Sequence, residues 1–111
     1  MCGISGIYNF KKNAPVREPD VIAMRDTLTH RGPDSEGVYL SPDARLGLGH
    51  RRLSIIDLSP QASQPMTNED GTVRVIFNGE IYNFKKLREE LIAKGHRFHS
   101  KSDTEVIVHG Y

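Results

Sequence analysis

Apolar and polar positions along the chain recur in patterns that predict both strands and helices. Residues 2–10 mix apolar with small residues before a polar, proline-containing stretch, which predicts a buried strand followed by a turn. From Pro19, apolar residues recur at helical spacing until the segment 31–34, which predicts the first helix. The next segments are short and mostly apolar, as in an antiparallel meander, and predict strands at residues 36–41, 44–50 and 52–57.

The following part of the chain combines a loop, a strand and a helix. Residues 58–71 are predicted to form a loop, and the β-branched run at residues 72–77 predicts a strand. Asn83 can cap a helix whose apolar stripe ends at Gly95. A tight turn is therefore expected at Asn78-Gly79-Glu80, between the strand and the helix.

The C-terminal residues predict one more strand and the start of a helix. The strand is expected at residues 97–99, and Ser102-Asp-Thr-Glu105 has the form of a capping box ahead of three apolar residues. The order of elements predicts an α+β fold with a largely antiparallel sheet. Because the last helix has only begun when Tyr111 is reached, we expect residues 1–111 to be a truncated domain.

Composition and charge narrow the classes of function. A chain of 111 residues suits one domain. Its 15 Lys and Arg residues and 14 Asp and Glu residues give a formal net charge of +1, so no general attraction to nucleic acid or to an anionic membrane is expected. With no long apolar run and no basic leader, neither a transmembrane helix nor a signal peptide is predicted, and we expect a cytoplasmic protein.

The single cysteine, Cys2, is the main candidate for chemistry. One cysteine excludes an internal disulfide, and without a second thiol or a tight histidine cluster no metal site is predicted. A lone cysteine is usually a small core residue. At position 2, however, removal of Met1 would give one residue both a thiol and an α-amine that can act as its base. The five histidines then need no catalytic role, and their ordinary interpretation as polar or partly buried residues is favoured.

Two further groups of residues fit hydrolysis of an amino acid amide. Asn78 and Gly79 can donate a side-chain and a backbone N–H to an oxyanion, although an Asn-Gly pair is also typical of a hairpin turn. Arg52 can pair with an α-carboxylate, while Glu80 and Asp103 can pair with an α-ammonium group. Alternatively, Arg52 is a solvated strand residue and Glu80 a surface charge. Asp103 is equally well interpreted as a charge that stabilises a helix N-terminus.

Six motifs together resemble the class II glutamine amidotransferase domain of asparagine synthetases. In chain order they are Met1-Cys-Gly-Ile, His30-Arg-Gly-Pro-Asp34, His50-Arg-Arg-Leu-Ser-Ile-Ile-Asp57, Gln64-Pro65, Asn78-Gly-Glu-Ile-Tyr-Asn83 and Ser102-Asp-Thr-Glu105. The resemblance covers essentially the whole chain. It implies an N-terminal-nucleophile hydrolase fold, in which antiparallel sheets are sandwiched between helical layers.

The resemblance also implies roles for particular residues. Cys2 would be the nucleophile, and Asn78 and Gly79 would form the oxyanion hole. The glutamine pocket would be lined by Arg52, Leu53, Ile56, Glu80 and Asp103. The segment 31–34 would be a structured loop near the site, for which a plain Gly-Pro turn is an equally good interpretation.

The implied reaction hydrolyses glutamine to glutamate and supplies ammonia for ATP-dependent amidation of aspartate. The partners would be glutamine and a C-terminal synthetase domain, absent here, which would use ATP and Mg²⁺. No cofactor is expected in this segment, which carries no Gly-rich phosphate loop. A homodimer stays open, as do an inert truncated or regulatory glutamine-binding module and an amidotransferase domain serving a different acceptor.

Overall fold

A three-stranded antiparallel sheet forms the first half of the structure. The computed structural model describes residues 1–11 and 13–111. Strands β1 (Gly3–Tyr8) and β2 (Ser35–Leu40) both pair with β3 (Leu46–Arg52), which therefore lies in the middle. Helix α1 (Glu18–Asp26) packs on this sheet, mainly against β3 and β1. The predicted α+β class with antiparallel strands is confirmed.

The two faces of β3 carry different kinds of residues. On the α1 face, a Cβ atom at Gly49 would lie 2.9 Å from Cβ of Arg25, so glycine is what lets the helix approach. Val21 of α1, which is 1% exposed, reaches the same face. Because side chains alternate along a strand, His50 and Arg52 point to the opposite face. Residues on this second face contact the second half of the molecule, as His50 does at Phe77.

Charged residues close the α1 face of the sheet. Nε of Arg25 donates to Oδ1 of Asp26 at 2.8 Å, and Arg51 pairs with both Asp26 and Glu36. Arg51 also donates from Nε to the carbonyl oxygen of Gly32 at 3.0 Å. Both arginines are buried, and a buried charge is costly unless it is paired. The two carboxylates and the Gly32 carbonyl compensate these charges. The pKa of Asp26 is lowered, chiefly by the hydrogen bond from Arg25.

The second half combines a small sheet with two helices. Strands β4 (Met66–Thr67) and β5 (Arg74–Val75) pair antiparallel, and they are followed by α2 (Phe84–Ala93) and α3 (Glu105–Gly110). Helix α3 packs against α2 and against both short strands, with Val106 and Val108 buried. A single 3-10 turn at Pro60–Ala62 precedes β4. Among the described residues, no helix is long and apolar enough to cross a membrane.

Two of the predicted strands are wrong, because side chains take the backbone hydrogen bonds that a sheet would have used. The strand predicted at 52–57 stops at Arg52, where β3 ends. Beyond it, N–H of Leu53 donates to Sγ of Cys2, and N–H of Ser54 donates to Oδ2 of Asp34. The strand predicted at 97–99 is absent from the described chain. There, N–H of Arg97 and N–H of His99 donate to the carboxylates of Glu69 and Glu105.

The strands that were predicted correctly differ in their limits. The strand predicted at 72–77 is paired only at Arg74–Val75, and the loop predicted at 58–71 contains the 3-10 turn and β4. The second and third predicted strands appear as β2 and β3, shifted by one or two residues. Between β2 and β3, Ala44 adopts a left-handed conformation with φ of 55°. That turn displaces the start of β3 from residue 44 to residue 46.

The predicted helix ends are only partly confirmed. At the end of α2, N–H of Gly95 bonds to O of Ile92 and N–H of His96 bonds to O of Leu91, which is a Schellman motif with Gly95 at φ 98°. At the start of α2, the side chain of Asn83 makes no capping hydrogen bond. The capping box at 102–105 is wrong, because the Glu105 carboxylate binds N–H groups of His99 and Ser100 instead.

Candidate active site

A cavity of about 390 Å³ opens between the end of β3, the loop after β5 and the segment before α3. Cys2, at the start of β1, contributes to its wall. This volume lies within the range of roughly 300–1,000 Å³ that is typical of small-molecule sites. The eight predicted site residues all line it: Cys2, Arg52, Leu53, Ile56, Asn78, Gly79, Glu80 and Asp103. We refer to this space as the Cys2 cavity.

Cys2 is held between the backbone groups of a residue far along the chain. N–H of Leu53 donates to Sγ at 3.3 Å, and Sγ lies 3.6 Å from the carbonyl oxygen of Leu53. The carbonyl of Cys2 itself accepts a hydrogen bond from Nε of Arg31 at 3.3 Å. The thiol therefore has a fixed position in the cavity wall. Met1 also lines the cavity and is 71% exposed, so it is accessible to a processing aminopeptidase.

The segment 31–34 lies beside this cysteine. Besides the contact from Arg31, N–H of Asp34 donates to the carbonyl oxygen of Arg52 at 3.0 Å. Oδ2 of Asp34 accepts from N–H of Ser54 at 2.7 Å. The loop thereby braces both Cys2 and the chain that leaves β3.

Asn78 and Gly79 present free N–H donors to the Cys2 cavity. Neither the side-chain amide of Asn78 nor the backbone N–H of Gly79 finds an acceptor among residues 1–11 and 13–111. No strand follows this pair, since the next element is helix α2, and the hairpin alternative is therefore wrong. An oxyanion requires N–H donors, and both of these residues line the cavity that contains Cys2.

The peptide before these donors is fixed by side chains on both sides. N–H of Phe77 donates to Oε1 of Gln64 at 2.6 Å, while the carbonyl of Phe77 lies 3.3 Å from Nε2 of His50. The ring of Phe77 packs over Gly79, where a Cβ atom would lie only 2.7 Å from Cζ. The position of the donors is thus determined by three neighbouring side chains.

His50 is a buried, neutral hydrogen-bond donor to the backbone of Phe77. The residue is 1% exposed, and burial lowers its pKa, with the Arg52 charge acting in the same direction and the Phe77 carbonyl opposing it. Nε2 must carry the proton, because its neighbour is a carbonyl oxygen that can only accept. His50 was expected to be an ordinary polar residue, and its link to Phe77 could not be read from the sequence.

Arg52 and Asp57 hold the loop that forms one wall. Nη1 of Arg52 donates to the carbonyl of Ser59 at 2.9 Å, which leaves other guanidinium donors for a ligand. Oδ1 of Asp57 accepts from N–H of Ser59 at 2.8 Å, and Oδ2 accepts from N–H of Lys101 at 2.7 Å. The pKa of Asp57 is lowered to about 2, first by a hydrogen bond from the Ser59 side chain and then by these two backbone N–H groups.

Two carboxylate residues, Asp103 and Glu80, also line the cavity. Asp103 is buried, and its Oδ2 accepts from N–H of Ile81 at 2.8 Å. Oδ1 of Asp103 has no hydrogen-bond donor within the described part of the chain. Glu80 lies on the rim and is exposed. Because Arg52 lines the same cavity, its residues offer charges of both signs.

Several lining residues were missed by the sequence analysis. Phe77, Asp57 and Thr104 lie in the cavity wall, and Gln64 joins it while its Nε2 lies 3.4 Å from Oγ1 of Thr104. Asp57, Gln64 and Thr104 belong to motifs quoted above but were given no role in the site, whereas Phe77 was signalled only as the residue before Asn78.

A thiol on the wall of a cavity that also presents two free N–H donors is typical of a thiol-dependent amide hydrolase. Comparison with known families agrees, since the profile of the glutamine amidotransferase domain matches residues 1–111. The chain belongs to the glutamine amidotransferase domain family. The expected family is therefore confirmed.

The similar proteins include glutamine-hydrolysing asparagine synthetases. The chain is 46% identical over 113 residues to asparagine synthetase [glutamine-hydrolyzing] 1 of Bacillus subtilis, and all of the chain aligns with 17% of that protein. It is 45% identical over 112 residues to a probable asparagine synthetase of Dictyostelium discoideum, covering 20% of it. It is also 45% identical over 111 residues to asparagine synthetase 2 of Arabidopsis thaliana, covering 18% of it. The chain thus spans a fifth or less of the length of these relatives.

Proposed function

We propose that this chain carries out glutamine hydrolysis, the first half-reaction of an asparagine synthetase-like enzyme. The observation that carries the proposal is that Cys2, Asn78, Arg52 and Asp103 come from four separate parts of the sequence and line one cavity. The relatives named above are glutamine-hydrolysing enzymes, and their identity extends over the whole chain. A thiol, two oxyanion donors and charges of both signs match the chemical groups of glutamine.

The reaction begins once Met1 has been removed. The α-amine of Cys2 takes the thiol proton, and the sulfur attacks the side-chain amide carbon of glutamine. The oxygen of the tetrahedral intermediate becomes negatively charged and accepts hydrogen bonds from Asn78 and Gly79. The α-ammonium of Cys2 then gives its proton to the departing ammonia, leaving a γ-glutamyl thioester. Water, deprotonated by the same amine, hydrolyses the thioester to glutamate and restores the thiol.

Binding of glutamine is assigned to the charged and apolar wall residues. Arg52 pairs with the α-carboxylate, and Asp103 and Glu80 pair with the α-ammonium group. Leu53 and Ile56 pack against the methylene groups of the substrate. Arg52 and Asp103 are both buried, which strengthens charge recognition because little water screens it.

The remaining steps are assigned to chain outside residues 1–111. A synthetase domain would receive the ammonia and use ATP and Mg²⁺ to amidate aspartate. The much greater length of the relatives supports this assignment. Further strands and helices from the same polypeptide would complete the sandwich of antiparallel sheets between helical layers.

Covalent labelling of the processed protein tests the proposal. An electrophilic glutamine analogue should add once, at Cys2, and excess glutamine should slow the addition. The Cys2→Ser variant should give no adduct, and protein that retains Met1 should react much more slowly because its Cys2 nitrogen is an amide. Folded, Met1-free protein that shows neither a Cys2 adduct nor ammonia release from glutamine would show the proposal to be wrong.

A further inference from the structure

Two histidines and a glutamate converge on the far side of α3, outside the Cys2 cavity. Glu69 lies in the turn between β4 and β5, His96 follows the Schellman end of α2, and His109 belongs to α3. Oε1 of Glu69 is 3.0 Å from Nδ1 of His96 and 3.0 Å from Nδ1 of His109. All three ligand atoms lie within 4.8 Å of one another. We call these residues the His–Glu cluster.

His109 has a nitrogen that no hydrogen bond explains. Its side chain is fully buried, and Nε2 lies 3.2 Å from Oε1 of Glu105. Because a carboxylate accepts, Nε2 carries a proton, and Nδ1 then holds either a lone pair or a second proton. Nδ1 makes no hydrogen bond, yet it lies 3.0 Å from Oε1 of Glu69, which is another acceptor. Two acceptor atoms this close require a cation between them, which is either a proton on Nδ1 or a metal ion.

We propose that the His–Glu cluster binds a divalent first-row transition metal of the zinc type. Imidazole nitrogen and carboxylate oxygen are ordinary zinc ligands at about 2.0–2.2 Å, which places ligand atoms about 3.3 Å apart in a tetrahedral site. The two 3.0 Å separations differ from this value by a few tenths of an ångström. Water would occupy the fourth position, because His96 keeps the cluster partly open to solvent at 35% side-chain exposure.

The surroundings of His109 match those of a metal ligand. Histidines that bind metals commonly donate their other N–H to a carboxylate, which fixes the ring and the tautomer. Glu105 has this role for His109, and Glu105 is itself held by N–H groups of His99 and Ser100 at 2.6 and 2.8 Å. A bound metal would cross-link three segments: the β4–β5 turn through Glu69, the residues after α2 through His96, and helix α3 through His109.

No pattern in the sequence predicts this site. The expectation of no metal site rested on the lack of a second thiol and of a tight histidine cluster along the chain. His96 and His109 are 13 positions apart, and Glu69 is 27 positions before His96. Only folding brings them together, so the usual short ligand spacings do not appear.

Zinc binding to matched variants tests the inference. Equilibrium dialysis against Zn²⁺ should use protein carrying Cys2→Ser, so that the thiol contributes nothing. The parent should bind one more zinc ion than His96→Gln or Glu69→Gln, or bind it at least about tenfold more tightly. His99→Gln, which removes an exposed histidine from the same segment, should behave like the parent. Equal zinc binding by the parent and by both cluster variants would overturn the proposal.

Two further measurements separate a metal site from a simple ion-pair network. Zn²⁺ should raise the Tm of the parent and of His99→Gln but not that of His96→Gln, whereas Mg²⁺ should raise none through this cluster. Nitrogen NMR of the imidazoles should show that Nδ1 of His109 binds zinc while Nε2 keeps its proton. A protonated Nδ1 in zinc-saturated protein, or an unchanged Tm, would mean that the cluster is only a network of charges.

Discussion

Nε2 of His50 donates a hydrogen bond to the carbonyl oxygen of Phe77 across 3.3 Å, from the central strand to the residue before Asn78. The histidine is buried in the fold, and the asparagine lines the Cys2 cavity. A buried side chain thus fixes the peptide that precedes the proposed oxyanion donors. His50 is accordingly a positioning residue, and its replacement should change catalysis more than binding.

The His50→Ala variant should lower kcat for glutamine hydrolysis by roughly tenfold to a hundredfold, because a misplaced donor weakens transition-state binding. KM should change little. His50→Gln, which keeps an N–H donor, should recover part of the lost activity. The exposed His30 supplies the control, since His30→Ala should leave both constants unchanged. Equal losses in His50→Ala and His50→Gln, or a change confined to KM, would contradict the positioning role.

Acid should destabilise the fold through His50. Burial lowers the pKa of His50 in the folded chain below the ordinary 6.5. At pH values between the folded-state pKa and 6.5, the unfolded chain therefore binds more protons than the folded chain. The contribution of His50 is therefore complete above pH 6.5 and declines as pH falls below it, by at most about 1.4 kcal/mol per pH unit. Urea unfolding at several pH values should show a smaller decline below pH 6.5 for His50→Gln than for the parent.

Asp57 should matter more for glutamine binding than an equally bonded aspartate elsewhere. Its carboxylate joins the cavity loop to Lys101, close to Asp103, whereas Asp43 bonds only within the exposed β2–β3 turn. Asp57→Asn should raise KM and lower the free energy of unfolding by about 1–2 kcal/mol. Asp43→Asn should leave KM unchanged, and a similar KM for all three proteins would argue against a bracing role.

The acid sensitivity of the same carboxylate follows from its lowered pKa. Folding lowers the pKa of Asp57 from 3.8 to about 2, so its stabilising effect is present above pH 3.8 and is lost as pH falls toward 2. The parent and Asp57→Asn should therefore approach each other in stability across that interval when unfolding is followed by circular dichroism.

Gly79→Ala should impair the proposed oxyanion hole through the ring of Phe77. The added Cβ would lie 2.7 Å from Cζ of Phe77, so the ring or the backbone must move. We expect kcat to fall about tenfold or more, with the fold retained. Gly110→Ala is the matched control because its Cβ would meet no atom within 4 Å. Unchanged kcat in Gly79→Ala would mean that Phe77 yields freely.

The sequence predicted the class of fold and the main elements because their local patterns are strong. Strand β1 and helices α1 and α2 follow from apolar periodicity and from Pro19 and Gly95. The expectation that β1 is buried is wrong, because it is an edge strand on which Ile4 and Tyr8 are 47% and 62% exposed. It failed where side chains replace a sheet partner, as at Leu53, whose N–H binds the cysteine sulfur. A strand pattern reports apolar alternation, and it cannot report which group will accept the backbone N–H.

The candidate site was similarly predictable only in part. Cys2, Asn78 and Asp103 belong to motifs whose chemistry can be stated before the structure is seen, and all three line the cavity. The supporting roles of His50 and Gln64 could not be predicted, although both residues lie in the quoted motifs, because they act through the backbone of Phe77, which is distant from both in sequence. Such contacts depend on the packing of one segment over another.

The alternation of β3 has a practical consequence for protein engineering. Gly49 and Arg51 serve the interface with α1, while His50 and Arg52 serve the cavity. Substitutions in the two sets lie on opposite sides of one sheet, so their effects should nearly add when they share no partner. Thermostability could thus be improved from the helical side of the strand while substrate preference is redesigned from the other.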